Sequence, residues 1–230
     1  MIGKALEKSF SLTPKDKEEL IELYPLAEYN ERIHKIFPTH DDDPQFKKAE
    51  KITTDKQIYS NKKVIFLVRD PRDVIVSSYF QHKKRINQFS GDLNSYIFSD
   101  TGNIDSIIKF YNVWYKNRNI PKDFLLIRYE DMQEDTLREL KRVLKFIGIT
   151  NLNSEALLEI VDYASFDNMR QMEQNNQLNS SRLQPADKSD EESYKTRRGK
   201  VGGYSDYLSE QEINYLNQKI NDKLADYFKY

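Results

Sequence analysis

Cysteine is missing from this 230-residue chain, which excludes disulfides, thiolate metal sites and a cysteine nucleophile, and fits a reducing compartment. Net charge is nearly missing too: 36 lysines and arginines against 37 aspartates and glutamates leave −1. No global field favours nucleic acid, so any anion site must be local. The five apolar residues Val64 to Val68 fall far short of a membrane span, and Met1 to Leu12 carries Lys4, Glu7 and Lys8 instead of an apolar signal core. Glycine is scarce early. Gly3 is the only one before Gly91, so no Gly-x-x-x-x-Gly-Lys-Ser/Thr phosphate loop is present. The length suits one domain with a substantial core.

The clearest signal lies from Lys62 to Arg85, KKVIFLVRDPRDVIVSSYFQHKKR. Val64, Ile65, Phe66, Leu67 and Val68 form an unbroken apolar run too short for a buried helix, which predicts a strand covered on both faces of a parallel sheet. Arg69 stands at its C-terminal end, Asp70 can cap the following helix, and Pro71 takes the first helical position, where its missing N–H is harmless. In open parallel sheets such a strand-to-helix turn is where ligands bind, and a helix N-terminus beside an arginine suits a phosphate. Read blandly, Arg69 and Asp73 are a helix-start ion pair and Ser77 an ordinary helical serine.

This stretch resembles the 3′-phosphate-binding segment of the sulfotransferases that use 3′-phosphoadenosine 5′-phosphosulfate. In that pattern an arginine ends a buried strand and a serine eight residues on binds the same phosphate, as Arg69 and Ser77 are spaced. Three further segments follow the family's order. After RIHKIF, expected as a short strand through Ile33, Ile36 and Phe37, Thr39 and His40 match the family's Thr-His pair, which implies His40 as catalytic base. Histidine suits that role because its unperturbed pKa lies near neutrality. Beside it, Asp41, Asp42 and Asp43 read as a solvated acidic turn capping a helix near Pro44, since adjacent residues rarely converge on one metal. His34 falls within the expected strand and His82 in a basic surface stretch.

The buried run Phe124 to Ile127 leads into Tyr129, Glu130 and Asp131, which resemble the family's Tyr-Glu-Asp segment and imply Tyr129 at the adenine end of the donor. Ser165, Phe166 and Met169 resemble a Ser-Phe-x-x-Met segment beside the adenine. Arg197, Arg198 and Gly199 resemble the basic, glycine-containing segment that returns to the 3′-phosphate, with Gly203 and Tyr204 in place of the usual acid and tryptophan. Two arginines supply bidentate charge, and nearby glycines let backbone approach an anion. The polar segment 174–196 between them predicts a mobile loop over the site.

Helices are expected from Ile2 to Phe10, from Thr13 to about Leu23, over Asp92 to Ser99, Ile104 to Arg118, Glu134 to Ile147 with Gly148 as C-cap, Ser154 to Tyr163, and Glu210 to Phe228. Trp114 is expected in the core. The resemblance implies an α/β fold, a parallel sheet with helices on both faces similar to nucleotide kinases, in one domain spanning residues 1–230. It implies transfer of a sulfuryl group from 3′-phosphoadenosine 5′-phosphosulfate, leaving 3′,5′-adenosine bisphosphate, to a hydroxyl or amine of a small-molecule, lipid or carbohydrate acceptor in the cytoplasm. No metal, nucleic acid or membrane span is implied, and the family's short dimer motif is not recognisable.

The family's first strand and its 5′-phosphosulfate loop are not found ahead of the helix at Ile2, which has apolar periodicity but no cap. The expectation is an N-terminally shortened sulfotransferase, marginally stable and without turnover. The alternative is an inactive nucleotide-binding or interaction module on the same scaffold. A nucleotide kinase is disfavoured because the phosphate-loop lysine and a convincing magnesium-binding aspartate are missing.

Overall fold

A computed structural model describes the backbone of residues 1–230 and every side chain except that of Ser181. In chain order the elements are α1 (Ile2–Phe10), α2 (Glu19–Glu22), β1 (Lys63–Val68), α3 (Pro71–Phe80), α4 (Leu93–Ile97), α5 (Ile104–Asn117), β2 (Asp123–Arg128), α6 (Tyr129–Glu134), α7 (Thr136–Ile147), α8 (Ser154–Tyr163), α9 (Phe166–Gln174) and α10 (Glu210–Lys223). They form two compact units, one of Met1–Thr39 with Asp131–Gly199, the other of His40–Glu130 with Lys200–Tyr230.

The second unit holds the sheet. β1 and β2 run parallel, in register from Lys63 opposite Asp123 to Val68 opposite Arg128. The helical connection between them is what parallel pairing requires. Phe66 and Val68 face the core with α3, α5 and α10. The Phe66 ring lies 5.6–6.4 Å from those of Phe110, Tyr111, Trp114, Phe124 and Phe228. Truncating such a ring costs about 3–5 kcal/mol. The strand is not covered equally on both faces as its composition predicts. Leu67 is 56% exposed while Ile127, paired beside it, is 2% exposed. An unbroken apolar run does not reveal which face lacks cover.

Local signals set most helix ends. Asp70 accepts from the Arg72 N–H at 2.9 Å, with Pro71 at the first helical position. Ser209 and Glu212 form a reciprocal capping box at α10, and Leu216 and Ile220 pin that helix to the core. In the first unit, Ala5 and Leu6 of α1 share a core with Leu140 and Leu144 of α7 and Leu157 and Ile160 of α8. Gly148 ends α7 in the left-handed region at φ 86°.

Further expectations give way, and the last helix stops at Lys223 instead of Phe228. No strand forms at Ile33 to Phe37. Ile33 enters the core of the first unit, while Phe37 stacks on Tyr24 at 5.6 Å, so the apolar residues serve packing and no neighbouring strand pairs with their backbone. Helix α2 starts at Glu19 instead of Thr13, because Asp16 caps the Glu18 N–H at 3.0 Å and the Lys15 N–H is taken by the Tyr29 hydroxyl at 2.8 Å. His82 is buried, not on a basic surface. It lies in a π-helical turn, Gln81–Arg85, hydrogen-bonded through Nδ1 to the Tyr96 hydroxyl at 2.8 Å and stacked on Phe46 at 4.9 Å.

Candidate functional site

The second unit gathers one group of predicted residues around the end of β1. The Tyr111 hydroxyl accepts from the Arg69 N–H at 3.0 Å and donates to the Arg69 carbonyl at 2.8 Å, fixing the backbone where strand becomes helix. Burial pushes the Tyr111 phenol up, so it stays a neutral donor. The Arg69 guanidinium lies over the Tyr129 ring at 4.5 Å, a cation–π contact. Burial, ahead of opposing and like charges, raises the Tyr129 phenol as well. Nη2 of Arg69 reaches the Asp73 carboxylate at 3.1 Å and donates to the Lys200 carbonyl at 2.8 Å. Nε of Arg69 is buried with no hydrogen-bond partner. An orphaned donor beside a helix N-terminus fits an anionic ligand.

The Arg69–Asp73 pair of the bland reading is therefore real, yet it does not exhaust the guanidinium. Because Asp73 and Ser77 are four residues apart, they share one face of α3, and the ion pair swings Arg69 onto that same face. Ser77 is exposed there. Arg72 has a different fate. It grips Asp70 with Nε at 2.9 Å and Nη2 at 2.5 Å, donates to Asn217 at 2.7 Å and lies 4.6 Å over the Tyr204 ring, all of it structural.

His40 is exposed in the same unit and precedes a turn that departs from the solvated cap its composition suggests. Asp41, Asp42 and Asp43 all have positive φ, 35°, 65° and 47°. Left-handed backbone costs roughly 1–2 kcal/mol per residue, less for Asp. The first two are not solvated. Asp41 accepts from the Tyr59 hydroxyl at 2.5 Å and the Trp114 Nε1–H at 3.0 Å, and pairs with the ammonium of Lys56 at 2.7 Å. Lys56 is 1% exposed. Asp42 pairs with Lys47 and accepts from the Thr53 N–H at 2.6 Å and its hydroxyl at 2.9 Å. Burial alone would raise the Asp42 carboxyl, but these partners outweigh it and lower it. Asp43 makes no side-chain cap on the turn Pro44–Phe46. Nothing in the spacing announces this network, since Lys56 sits in a polar stretch and Trp114 lies 73 residues from Asp41.

The first unit gathers the second group. Ser165 caps α9, accepting from the Asn168 N–H at 3.4 Å. Phe166 is 41% exposed and Met169 is half-buried. Gly199 lies against the Phe166 ring at φ 61°, so close that an added Cβ would come within 2.5 Å of it. Only glycine fits there. Arg197 and Arg198 both bind Glu192, at 3.0 and 3.2 Å. Glu192 belongs to the polar segment predicted to be mobile, whose end is tied down in this structure. The carboxylate of Glu173 accepts from the Lys195 and Thr196 N–H groups at 2.5 and 2.8 Å, and Arg170 lies 3.4 Å over the Tyr194 ring. Among the described residues no cluster of three acidic or histidine side chains is arranged to hold a metal, and no helix is long and apolar enough to cross a membrane.

A family model described as "Sulfotransferase domain" matches residues 21–228. Sulfotransferase 2A1 of Rattus norvegicus is 30% identical over 182 residues, covering 75% of this chain and 60% of its own. Sulfotransferase 2A1 of Macaca fascicularis is 28% identical over 180 residues, covering 74% and 60%. The chain thus spans about 60% of the length of the curated relatives it matches. Among solved structures, mouse sulfotransferase SULT7A1 complexed with PAP is similar with a TM-score of 0.58 at 23% identity, over 73% of this chain and 61% of that one. Retinol dehydratase in a complex with retinol and PAP gives 0.57 at 22%, over 74% and 50%. These two likenesses concern the fold.

Proposed function

The chain belongs to the sulfotransferase domain family, and from that premise we propose that it binds 3′-phosphoadenosine 5′-phosphosulfate and serves transfer of the sulfuryl group to a hydroxyl or amine of a small-molecule acceptor. The observation that carries the reading is Arg69. It stands at the C-terminal end of β1, backed by Tyr129, on the helix face shared with Ser77, with a buried Nε that has no partner. Those features suit a phosphate, and the family's motif assigns this arginine and serine to the donor's 3′-phosphate.

In this reading Tyr129 contacts the adenine end beside Arg69, while in the other unit Ser165, Phe166 and Met169 match the family's adenine segment and Arg197, Arg198 and Gly199 its 3′-phosphate segment, each carried over by its motif. The donor supplies an activated sulfuryl group. The chain's own residues supply position and charge, which is where most of the catalysis in phosphoryl transfer, the nearest analogue, originates. His40 takes the proton from the acceptor hydroxyl or amine. Its exposure leaves the ring open to an acceptor, and the clamped Asp41 fixes the backbone beside it. A small-molecule acceptor fits the retinol held in one of the similar structures, and a cytoplasmic setting fits the absence of cysteine.

The test is transfer of labelled sulfuryl from the donor to a panel of hydroxyl acceptors. In a form of the protein that turns over, His40→Ala should lower turnover by ~10²- to 10⁴-fold and leave bisphosphate affinity within about twofold. Unchanged turnover in the variant removes His40 from the chemistry. Bisphosphate binding without any transfer by the wild-type chain points to a nucleotide-binding module instead.

A further inference from the structure

Asp73 lies in the first turn of α3, 3% exposed, and both of its oxygens are engaged. Oδ2 accepts from the Gly202 N–H at 2.9 Å and pairs with Nη2 of Arg69 at 3.1 Å, while Oδ1 accepts from the Tyr204 N–H at 2.9 Å. Two N–H groups of one turn therefore converge on a single buried carboxylate. The turn is left-handed at Gly202, φ 70°, and its Lys200 carbonyl accepts from the same Nη2 at 2.8 Å. One nitrogen of Arg69 is thus held by two acceptors that Asp73 itself ties together. The guanidinium plane is fixed over Tyr129, and its Nε edge remains without a partner.

We propose that Asp73 is the positioning residue of the 3′-phosphate site: it fastens the turn at residues 200–204 to the start of α3 and thereby aims Arg69. This rests on the reading that Arg69 receives the 3′-phosphate. The sign of one substitution separates positioning from simple electrostatics. A carboxylate beside a phosphate repels it, so if Asp73 acted only through its charge, Asp73→Asn would tighten the bisphosphate. If Asp73 positions Arg69, the same change weakens it. Asparagine has nearly the same size but one acceptor oxygen, so its amide N–H₂ would face either the Gly202 or the Tyr204 N–H, donor against donor. The ion pair to Arg69 goes as well.

The experiment is calorimetric titration of the full chain with 3′,5′-adenosine bisphosphate and with 5′-AMP, for wild type, Asp73→Asn, Gly202→Ala and Arg69→Ala. Gly202→Ala strains the turn without a clash, since an added Cβ meets nothing within 4 Å. It keeps the test alive if Asp73→Asn does not fold. The expected result is that Asp73→Asn and Gly202→Ala weaken the bisphosphate, by roughly 10- to 100-fold for the former, and change 5′-AMP by less than about threefold. Loss of bisphosphate selectivity in Arg69→Ala, with unchanged or tighter bisphosphate binding in the other two variants, overturns the positioning role alone. Unchanged selectivity in Arg69→Ala overturns the phosphate reading, and the role of Asp73 with it.

Discussion

Replacing Lys56 by methionine probes the turn that follows His40. The substitution keeps most of the stem's volume and deletes the ammonium, leaving the Asp41 carboxylate with partners that include the Tyr59 hydroxyl and the Trp114 N–H. Lys56 is 1% exposed and its partner's side chain 12%, so solvent screens the pair weakly. Removing one member of a buried ion pair costs about 3–5 kcal/mol. The remaining partners offset part of that, which sets the expected loss near 3 kcal/mol, or roughly 6–12 °C in Tm for a chain of this size. Urea and thermal unfolding measure it. In the double variant Lys56→Met with Asp41→Asn no unpaired charge remains buried, so at least half of the loss should return. A loss below about 1 kcal/mol in the single variant would refute the argument that this buried pair clamps Asp41 at the start of the turn.

Two more outcomes follow from the same geometry. Glu192 binds both Arg197 and Arg198, so a bisphosphate using those arginines must displace it, and Glu192→Gln should tighten bisphosphate binding about two- to fivefold by calorimetry, as expected for a partly exposed pair; weaker binding would show that Glu192 supports the site. Burial lowers the His82 pKa below its unfolded value of about 6.5, so its contribution to stability is complete above that pH and is lost as pH falls through the folded value. The unfolding midpoint should therefore fall between pH 7 and pH 5, and less so in His82→Gln, whereas the lowered Asp42 and Asp105 carboxyls act only below about pH 4. Equal pH dependence in both proteins would remove His82 as the cause.

Features with local chemical causes were legible in the sequence. Asp70 before Pro71 announced a helix start, Gly148 a helix end, and the apolar runs at Val64 and Phe124 two strands, because caps and runs act within a few residues. Features decided by distant partners were not. Lys56 reads as a solvent-facing lysine until Asp41 and Trp114 close around it, and His82 as one more basic surface residue until Phe46 and Tyr96 bury it. Ile33 and Phe37 look like a strand by composition, but a strand exists only where another strand accepts its hydrogen bonds. For the site, motif spacing named Arg69, Tyr129, Phe166 and Gly199. It gave no hint that Asp73 ties Arg69 to the turn at residues 200–204, since that contact spans about 130 residues.

The ratio of this chain's affinities for 3′,5′-adenosine bisphosphate and 5′-AMP measures most directly the proposed role of Arg69 as receptor of a 3′-phosphate. A charged hydrogen bond contributes about 1.5–3 kcal/mol, so the wild-type chain should prefer the bisphosphate by at least roughly tenfold, and Arg69→Ala should abolish most of that preference. Equal affinity for the two nucleotides in the wild-type chain, or a preference that survives Arg69→Ala, would contradict it.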